Sequence, residues 1–185
     1  MPRKAKDPVQ SATPPLTEAA AVAALIARSK SIVVAAGAGI SVSCGIPDFR
    51  SEKVGLYTSG RHIADGIPSA ELFFDYDYFQ LDPVPFYKVA KSLVEINAEP
   101  SKTHDFFCLL ENAGKIRRIY TQNIDGLERA AGCRAVLQCH GTMDTFHCLK
   151  CKRKDTLAKC RKDFVDLDSV PYCRFCRSGV MVSHV

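Results

Sequence analysis

The apolar residues of the chain form two kinds of pattern that alternate along its length. Apolar groups at helical spacing, or a high content of helix-forming residues, predict helices at residues 19–28, 73–79, 86–96, 103–112 and 127–131. Two strands are predicted at residues 116–120 and 135–139, and a short continuous apolar run predicts another at residues 31–36. Such runs are typical of parallel strands that are covered on both faces of a sheet. Strands that alternate with helices predict an α/β layered fold.

Two segments lack this patterning. Residues 1–15 are rich in proline, lysine and small polar residues and carry too little apolar surface to offset the entropy lost on ordering. They therefore predict a disordered N-terminal arm. Residues 45–68 are dense in glycine, proline and serine, which predicts a long loop, and loops of this length usually serve a function.

The length and composition favour a soluble globular protein. Its 185 residues suffice for one domain, or for one domain and a small module. The chain has no apolar run of roughly eighteen residues and no apolar stretch behind its charged N-terminus, so we expect neither a membrane span nor a secretory signal. In the intracellular protein expected on these grounds, nine cysteines indicate metal ligands or free thiols rather than a disulfide framework.

The formal net charge of +5 is modest but unevenly placed. One basic cluster lies at residues 3–6 and a larger one at residues 150–162. Both clusters fit an acidic partner, and both fit equally well a solvated surface that aids solubility. Charge alone therefore does not make this a nucleic-acid-binding protein, and we expect no direct sequence-specific contact with nucleic acid.

Four cysteines form the most specific motif of the chain. Two Cys-x-x-Cys pairs, Cys148 with Cys151 and Cys173 with Cys176, are separated by twenty-one residues. Pairs at this spacing converge on one tetrahedral zinc ion as four thiolates. Four protein ligands leave no position for water, so the predicted zinc is structural and its loss should unfold the module. His147, next to Cys148, is the alternative ligand.

A glycine-containing turn follows the first predicted strand. Gly37 and Gly39, ahead of Ser41, would let the backbone approach a pyrophosphate while free N–H groups of the next helix point toward it. Val42 replaces the third glycine of the usual dinucleotide fingerprint, and no clear acidic partner for the ribose follows at the right distance. A tight packing turn explains the two glycines equally well.

Three further segments favour a cofactor-binding turn over a packing turn. Gly-Ile-Pro-Asp-Phe-Arg-Ser at residues 45–51, Thr-Gln-Asn-Ile-Asp at residues 121–125 and His-Gly at residues 140–141 follow in this order, with the four-cysteine module after the histidine. Together these segments closely resemble the cofactor and catalytic signatures of the sirtuin family, and the resemblance spans residues 16–176. Two departures from the family pattern, Ala36 and Cys44, remove no expected polar contact.

The resemblance implies a fold and a set of NAD ligands. The implied fold is a partial Rossmann-like parallel sheet with an inserted helical region and a small four-cysteine zinc-binding module, and NAD would lie across the carboxyl ends of the strands. The residues that match the NAD contacts of the family are Gly37, Ala38, Gly39, Ser41, Ile46, Asp48, Phe49, Arg50, Gln122, Asn123, Ile124, Asp125 and His140.

These residues are expected to divide by role. The phosphates would lie at Ala38, Gly39 and Ser41. The nicotinamide pocket would be lined by Ile46, Asp48 and Phe49, together with Ile124 and Asp125. The phosphate and ribose groups would be held by Arg50, Gln122 and Asn123.

The resemblance also implies the chemistry. The family transfers the acyl group of a protein lysine to NAD, and the products are deacylated lysine, nicotinamide and an acylated ADP-ribose. His140 matches the general base that acts on a ribose hydroxyl, and Asn123 is the second expected catalytic residue. His62, His104 and His184 keep a structural interpretation.

Two stretches indicate a branch of the family. Residues 74–87 and the Gln-Cys-His-Gly sequence at residues 138–141 resemble the eukaryotic class I branch. This resemblance implies acetyl-lysine protein substrates, either histones or transcription factors, and a role in chromatin silencing. It also implies a nuclear location, with the cytoplasm as the alternative. The basic residues 3–6 form too short a nuclear signal to decide between the two locations.

We expect four segments along the chain. They are the arm at residues 1–15, a partial NAD-binding domain at residues 16–146 with a helical insertion at about 52–100, the zinc module at residues 147–178 and a truncated tail at residues 179–185. Members of the family return from the zinc module to complete the sheet, so the resemblance implies an uncovered sheet edge and an uncovered apolar face. We therefore expect weak or absent activity from these 185 residues alone.

Alternatives from other classes stay open. The chain could be a catalytically inactive fragment that binds NAD and zinc and acts as a protein-binding module, which would bind without turnover. It could also be a zinc-ribbon protein that binds nucleic acid through residues 150–162, with salt-dependent DNA binding as the sign. Without the surrounding motifs, Asp48 and Asp125 would suggest a carboxylate pair for glycoside hydrolysis.

Overall fold

The structure, a computed structural model, describes residues 16–52, 55–59 and 67–184. The predicted arm at residues 1–15 lies outside these ranges, as do residues 53–54 and 60–66 of the predicted loop. No helix in the described ranges is long and apolar enough to cross a bilayer.

The described ranges contain six α-helices and six strands. The helices are α1 (Leu16–Arg28), α2 (Tyr76–Leu81), α3 (Val84–Val94), α4 (Lys102–Asn112), α5 (Leu127–Ala130) and α6 (Leu157–Arg161). The strands are β1 (Ile32–Ala36), β2 (Ile116–Thr121), β3 (Val136–Gln138), β4 (Thr142–Cys148), β5 (Lys154–Thr156) and β6 (Met181–His184). The three predicted strands correspond to β1, β2 and β3, and four of the five predicted helices are present with ends that differ by a few residues.

The predicted parallel sheet is present and has the order β1-β2-β3. One face of the sheet carries Val34, Ile119 and Val136, and these pack against Phe107 and Cys108 of α4. Because side chains alternate between the two faces of a strand, the neighbouring residues point the other way. The mixed α/β class predicted from the sequence is therefore confirmed.

The second face of this sheet is open to solvent in the part of the chain that the structure describes. Val33 of β1 is 57% exposed, and Tyr120 of β2 and Leu137 of β3 are also exposed. The prediction that the first strand is covered on both faces is therefore wrong, because α4 packs on one face and the described residues place no apolar cover on the other. The expectation of an uncovered apolar face is confirmed.

The helix predicted at residues 73–79 is divided in two. A 3₁₀-helix spans Ala70–Phe74, and α2 begins after Asp75, whose backbone is extended. The Asp75 carboxylate accepts a hydrogen bond of 2.8 Å from the backbone N–H of Tyr78. This N-cap satisfies a free donor of α2 and starts a new helix, so the single-helix prediction is wrong at this point.

A second sheet is antiparallel and has the order β5-β4-β6. Cys148 is the last residue of β4, and the other three cysteines lie in the segments that connect the strands. The long central strand of the sheet, β4, begins at Thr142, and β6 lies within the segment predicted as a tail. The sheet therefore extends on both sides of the predicted module at residues 147–178. None of these three strands was predicted from the sequence.

The helical insertion and the second sheet share one core. Phe79, Phe86 and Tyr87 belong to the same buried cluster as Phe146 and Phe164. The Tyr87 ring lies 5.4 Å from the Phe164 ring, and the Tyr87 hydroxyl donates to the carbonyl of Met181 in β6. The cysteine module is thus packed directly against α3.

Candidate functional site

The carboxyl ends of the three parallel strands meet at one edge of the sheet. Ala36 pairs with Thr121, and Thr121 pairs with Gln138. The next residues continue this alignment, because the Gln122 N–H donates to the Ala36 carbonyl at 3.0 Å and the Cys139 N–H donates to the Thr121 carbonyl at 2.8 Å. The loops that carry the predicted NAD and catalytic residues therefore start side by side, as ligand-binding loops do in open α/β sheets.

Ser41 joins the first two of these loops. It is 1% exposed, and its hydroxyl donates a 2.7 Å hydrogen bond to Oδ2 of Asp125. The side-chain amide of Asn123 donates to Ser41 Oγ and to the Gly37 carbonyl, each at 3.2 Å. The structure thus brings together three pairs of residues that lie more than eighty positions apart in the sequence.

The turn at residues 37–41 is open on the side where its glycines lie. A Cβ atom added to Gly37 or Gly39 would meet no other described atom within 4 Å, and neither residue has a positive φ. Packing therefore does not require glycine at either position, which opposes the packing-turn explanation. A backbone without side chains beside open space fits the close approach of a phosphate.

Asp48 is held by hydrogen bonds from Ser51. Its two carboxylate oxygens accept from the backbone N–H of Ser51 at 2.8 Å and from the Ser51 hydroxyl at 2.6 Å. These hydrogen bonds from Ser51 hold the pKa of the Asp48 carboxyl below its ordinary value. A depressed pKa opposes the general-acid role of a glycosidase carboxylate, and Asp125 is likewise committed to Ser41 and to the N–H of Leu127.

Phe49 presents a partly exposed ring beside this carboxylate. It is 42% exposed, and its ring lies 5.3 Å from the Tyr57 ring and 6.1 Å from the Phe74 ring. Ile46 is half-buried and its N–H donates to the Ser41 carbonyl at 3.3 Å. These contacts fix an apolar surface next to the glycine turn.

The remaining predicted residues differ in burial. Ile124 is half-buried against the core that also holds Phe146. Arg50 and Gln122 are exposed, and so is His140, which lies in the turn after β3. His140 is followed by Gly141 with a φ of 86°, a conformation that favours glycine. The structure places the side chains of Arg50, Gln122 and His140 where a ligand can reach them.

The four cysteine sulfur atoms converge as the sequence predicts. All lie within 4.8 Å of one another, and the Cys148–Cys176 and Cys151–Cys173 sulfur pairs are 3.6 Å apart. Thiolates about 2.3 Å from a tetrahedral zinc ion lie about 3.8 Å from one another, so the spacing of this cluster fits zinc. His147, the alternative ligand, is not a member of the cluster found among the described residues.

Backbone donors prepare this cluster for metal. The N–H groups of Ser178 and Gly179 lower the pKa of the Cys176 thiol to about 6, which favours the thiolate that zinc requires. Gly179 also lies tightly against the sulfurs, since a Cβ at this position would be 2.4 Å from Cys148 Sγ. Gly179 was not predicted from the sequence, although a glycine three positions after the last cysteine was a signal for it.

Other residues of the site were not predicted from the sequence. Ser51 fixes Asp48, and the fully buried Thr121 accepts a hydrogen bond from the Asn123 N–H at 3.1 Å through its hydroxyl. Ser51 and Thr121 lie inside the motifs that the sequence singles out, and their polar side chains were the available signal.

The family model for the Sir2 family matches residues 37–185, which is most of the chain. The chain belongs to the Sir2 family. Among curated Sir2 relatives it is 44% identical over 156 residues to the NAD-dependent histone deacetylase sirtuin-1 of Drosophila melanogaster, covering 84% of this chain and 19% of the relative. It is 39% identical over 161 residues to the NAD-dependent protein deacetylase HST2 of Candida albicans, covering 86% of this chain and 48% of the relative.

Solved Sir2 structures share the fold. One, from work on the mechanism and regulation of Sir2 enzymes, aligns with a TM-score of 0.75 at 33% identity and covers 89% of this chain and 62% of that chain. Another, Sir2Tm bound to a propionylated peptide, aligns with a TM-score of 0.72 at 30% identity over 90% of this chain and 62% of that chain. The chain thus spans a fifth to a half of these curated relatives and under two thirds of the solved Sir2 chains.

Proposed function

We propose that the chain supplies the NAD site and the zinc module of an NAD-dependent protein lysine deacetylase. The observation that carries the proposal is the junction of the first two strand ends, where Asn123, Ser41 and Asp125 are linked by hydrogen bonds beside an open glycine turn. The NAD-dependent deacetylases among the relatives support the same activity for this chain.

The strand-end residues fit a dinucleotide. The turn at residues 37–41 offers backbone N–H groups without side chains in the way, which suits phosphate oxygens. Asp48, Ile46 and Phe49, together with Ile124 and Asp125, would enclose the nicotinamide. Polar or charged side chains for phosphate and ribose would come from Arg50, Gln122 and Asn123.

The chain's own residues then divide the work of acyl transfer. When bound, NAD supplies the ADP-ribosyl group that accepts the acyl group as nicotinamide leaves. The Phe49 ring, braced by Tyr57 and Phe74, would keep water from the reacting sugar. An imidazole nitrogen of His140 would accept the proton from a ribose hydroxyl, and the exposed position of His140 leaves it accessible to substrate.

The four thiolates have a structural role in this proposal. They fill the coordination sphere of zinc, so no position remains for a catalytic water. The module also contributes to the core around Tyr87, so zinc would support the helical region as well as its own loops.

The finer proposals concern substrate and location. We infer acetyl-lysine residues of histones or transcription factors as substrates, and chromatin in the nucleus as the place of action. The support is the resemblance of residues 74–87 and 138–141 to class I members, and the Drosophila relative, which is named a histone deacetylase.

The test is release of nicotinamide from NAD in the presence of an acetyl-lysine histone peptide, using the zinc-loaded chain. The expected result is weak, peptide-dependent release that disappears in His140→Ala. Two controls accompany the test. An unacetylated peptide should give no release, and His184→Ala should give the same release as the wild-type chain. Release that persists in His140→Ala would contradict the assigned base.

One observation favours a second candidate. The exposed apolar face formed by Val33, Tyr120 and Leu137 is the kind of surface that binds another protein. A binding module that retains NAD and zinc but does not turn over would show saturable NAD binding with no release of nicotinamide. Turnover in the assay above excludes it.

A further inference from the structure

Two fully buried polar side chains lie outside the proposed catalytic set. His104 of α4 and Glu128 of α5 are both 0% exposed. The ring nitrogen Nε2 of His104 and both carboxylate oxygens of Glu128 have no hydrogen-bond partner among the described residues. A buried polar group without a partner costs roughly 1–3 kcal/mol, and a charged one costs more, so such groups are rarely left unpaired.

The hydrogen bonds of His104 assign its proton. The backbone N–H of Ser101 donates to Nδ1 of His104 at 3.1 Å, and the Ser101 hydroxyl lies 2.8 Å from the same nitrogen. An Nδ1 atom that accepts an N–H carries no proton, so the neutral ring holds its proton on Nε2. Nε2–H is therefore a buried donor, and the carboxylate of Glu128 is a buried acceptor.

Cys133 contacts the backbone of both residues. Its backbone N–H donates to the Glu128 carbonyl at 3.0 Å, and its thiol contacts the His104 carbonyl at 3.9 Å. Burial, the neighbouring Cys108 thiol and nearby carboxylates that include Glu128 together raise the pKa of the Cys133 thiol to about 12. The Glu128 carboxylate is therefore close enough to Cys133 to act on its thiol.

We infer that the Nε2–H of His104 and the Glu128 carboxylate form a buried pair, joined through one bridging water, that positions both loops of the candidate NAD site. A site with one donor and two acceptors gives a water enough partners to be held. The positioning role rests on the proposed function, but the existence of the pair does not.

The contacts at each end of the pair lead to the site. On one side, Ser101 holds the His104 ring, and its hydroxyl oxygen also lies 3.4 Å from the Ile40 carbonyl oxygen in the glycine turn. On the other side, Glu128 lies in the first turn of α5. In the same turn the Leu127 N–H donates to Asp125 Oδ1 at 2.9 Å. The second oxygen of Asp125 accepts from Ser41, so the pair closes a ring of contacts behind both loops.

The pair itself is tested without NAD. In the wild-type protein, ring ¹⁵N shifts of His104 should report the Nε2–H tautomer, and Glu128→Gln should shift the Nε2 proton resonance. A double-mutant cycle of His104→Phe and Glu128→Leu should give an unfolding constant that departs about tenfold from the product of the single effects. Additive effects together with an unmoved proton resonance would overturn the pair.

The positioning role is tested by kinetics with NAD. Glu128→Leu should raise KM for NAD about tenfold with kcat within about twofold, and Glu128→Gln should restore most of the affinity. The matched control is Glu111→Gln on α4, because the Glu111 carboxylate accepts from the backbone N–H groups of Arg134 and Ala135, each at 2.8 Å, and these lie away from the site loops. The control should lower stability and leave KM unchanged.

The outcomes separate the two proposals. A lowered stability with unchanged KM in Glu128→Leu would overturn the positioning role. If the wild-type chain binds no NAD, the proposed function fails, and the cycle and the histidine spectrum still decide whether the pair exists.

Discussion

The surroundings of Gly39 and Gly179 differ in the space that they leave for a side chain. A Cβ at Gly39 would meet no described atom within 4 Å, whereas a Cβ at Gly179 would be 2.4 Å from Cys148 Sγ and 2.8 Å from Lys150 Cβ. Of the two positions, protein packing therefore requires glycine only at Gly179. A glycine that packing does not require is best explained by what approaches it from outside.

Gly39→Ala should leave stability unchanged and weaken NAD binding. The added methyl group enters open space in the protein but occupies the path by which the phosphates approach the backbone. We expect the thermal midpoint to stay within about 2 °C and the affinity for NAD to fall more than about tenfold. Calorimetric unfolding and NAD titration measure the two effects, and undiminished NAD affinity would contradict the assigned phosphate contact.

Gly179→Ala should disturb the metal cluster. The new Cβ must displace the Cys148 sulfur or the Lys150 backbone, which costs about 1–3 kcal/mol when a packed site is overfilled. Zinc affinity should fall about tenfold or more in competition with a chromophoric chelator. Gly114→Ala is a useful comparison, because Gly114 has a φ of 69° but an open surrounding, so the strain there should lower stability and leave zinc affinity intact.

At the scale of elements, α3 and the cysteine module depend on each other. Tyr87 of α3 is buried against Phe164 and bonds to the Met181 carbonyl of β6. Strand β4 ends at the metal ligand Cys148, and β6 begins two residues after Gly179, whose carbonyl accepts from the N–H of the metal ligand Cys173. Loss of metal should therefore reach the helical region through this shared core.

Removal of zinc with a chelator should release the amide protection of α3 together with that of β4 and β6. The parallel sheet and α4 belong to a separate buried cluster around Ile119, so their protection should change little. Hydrogen exchange followed by mass spectrometry measures both regions. Loss confined to the cysteine loops would show that the core is independent of the metal.

The sequence predicted elements well where a long or continuous apolar pattern was present, as for β1 and α4. It failed where a single polar residue decides the local structure, as Asp75 does when it caps α2. The strands β5 and β6, of three and four residues, are too short to show a period. The cysteine spacing therefore located the module but not its sheet.

The candidate site divides in the same way. The cysteine ligands and the loops at the strand ends were readable as motifs, because each motif is contiguous or regularly spaced. Contacts between distant segments, such as Ser41 with Asp125 or His104 beside Cys133, depend on how the elements pack and have no local pattern. The open space around Gly37 and Gly39 distinguishes a ligand-binding turn from a packing turn, and it too depends on how the elements pack.

At the scale of the whole molecule, the parallel sheet has apolar cover on one face in the described part of the chain. Parallel sheets are normally covered on both faces, and Val33, Tyr120 and Leu137 leave an exposed apolar surface here. The chain also spans only part of its relatives. Because of both facts, we expect the exposed face to promote self-association of the 185-residue chain.

A double substitution on this face, Val33→Lys with Leu137→Lys, should reduce self-association. The lysines remove apolar contact area and add like charges, which oppose pairing of two such faces. Sedimentation velocity should show a shift toward monomer, with Leu81→Lys as the control because Leu81 is exposed and far from the sheet face in sequence. An equal shift in the control would assign the effect to net charge.

The most direct test of the central claim is an amide chemical-shift map of the zinc-loaded chain titrated with NAD. The claim is that the ends of the three parallel strands form one NAD site. We predict saturable shifts at residues 37–41, 46–50 and 122–125 and at His140, while β5 and α6 stay unchanged. An absence of saturable shifts, or shifts confined to the cysteine module, would contradict it.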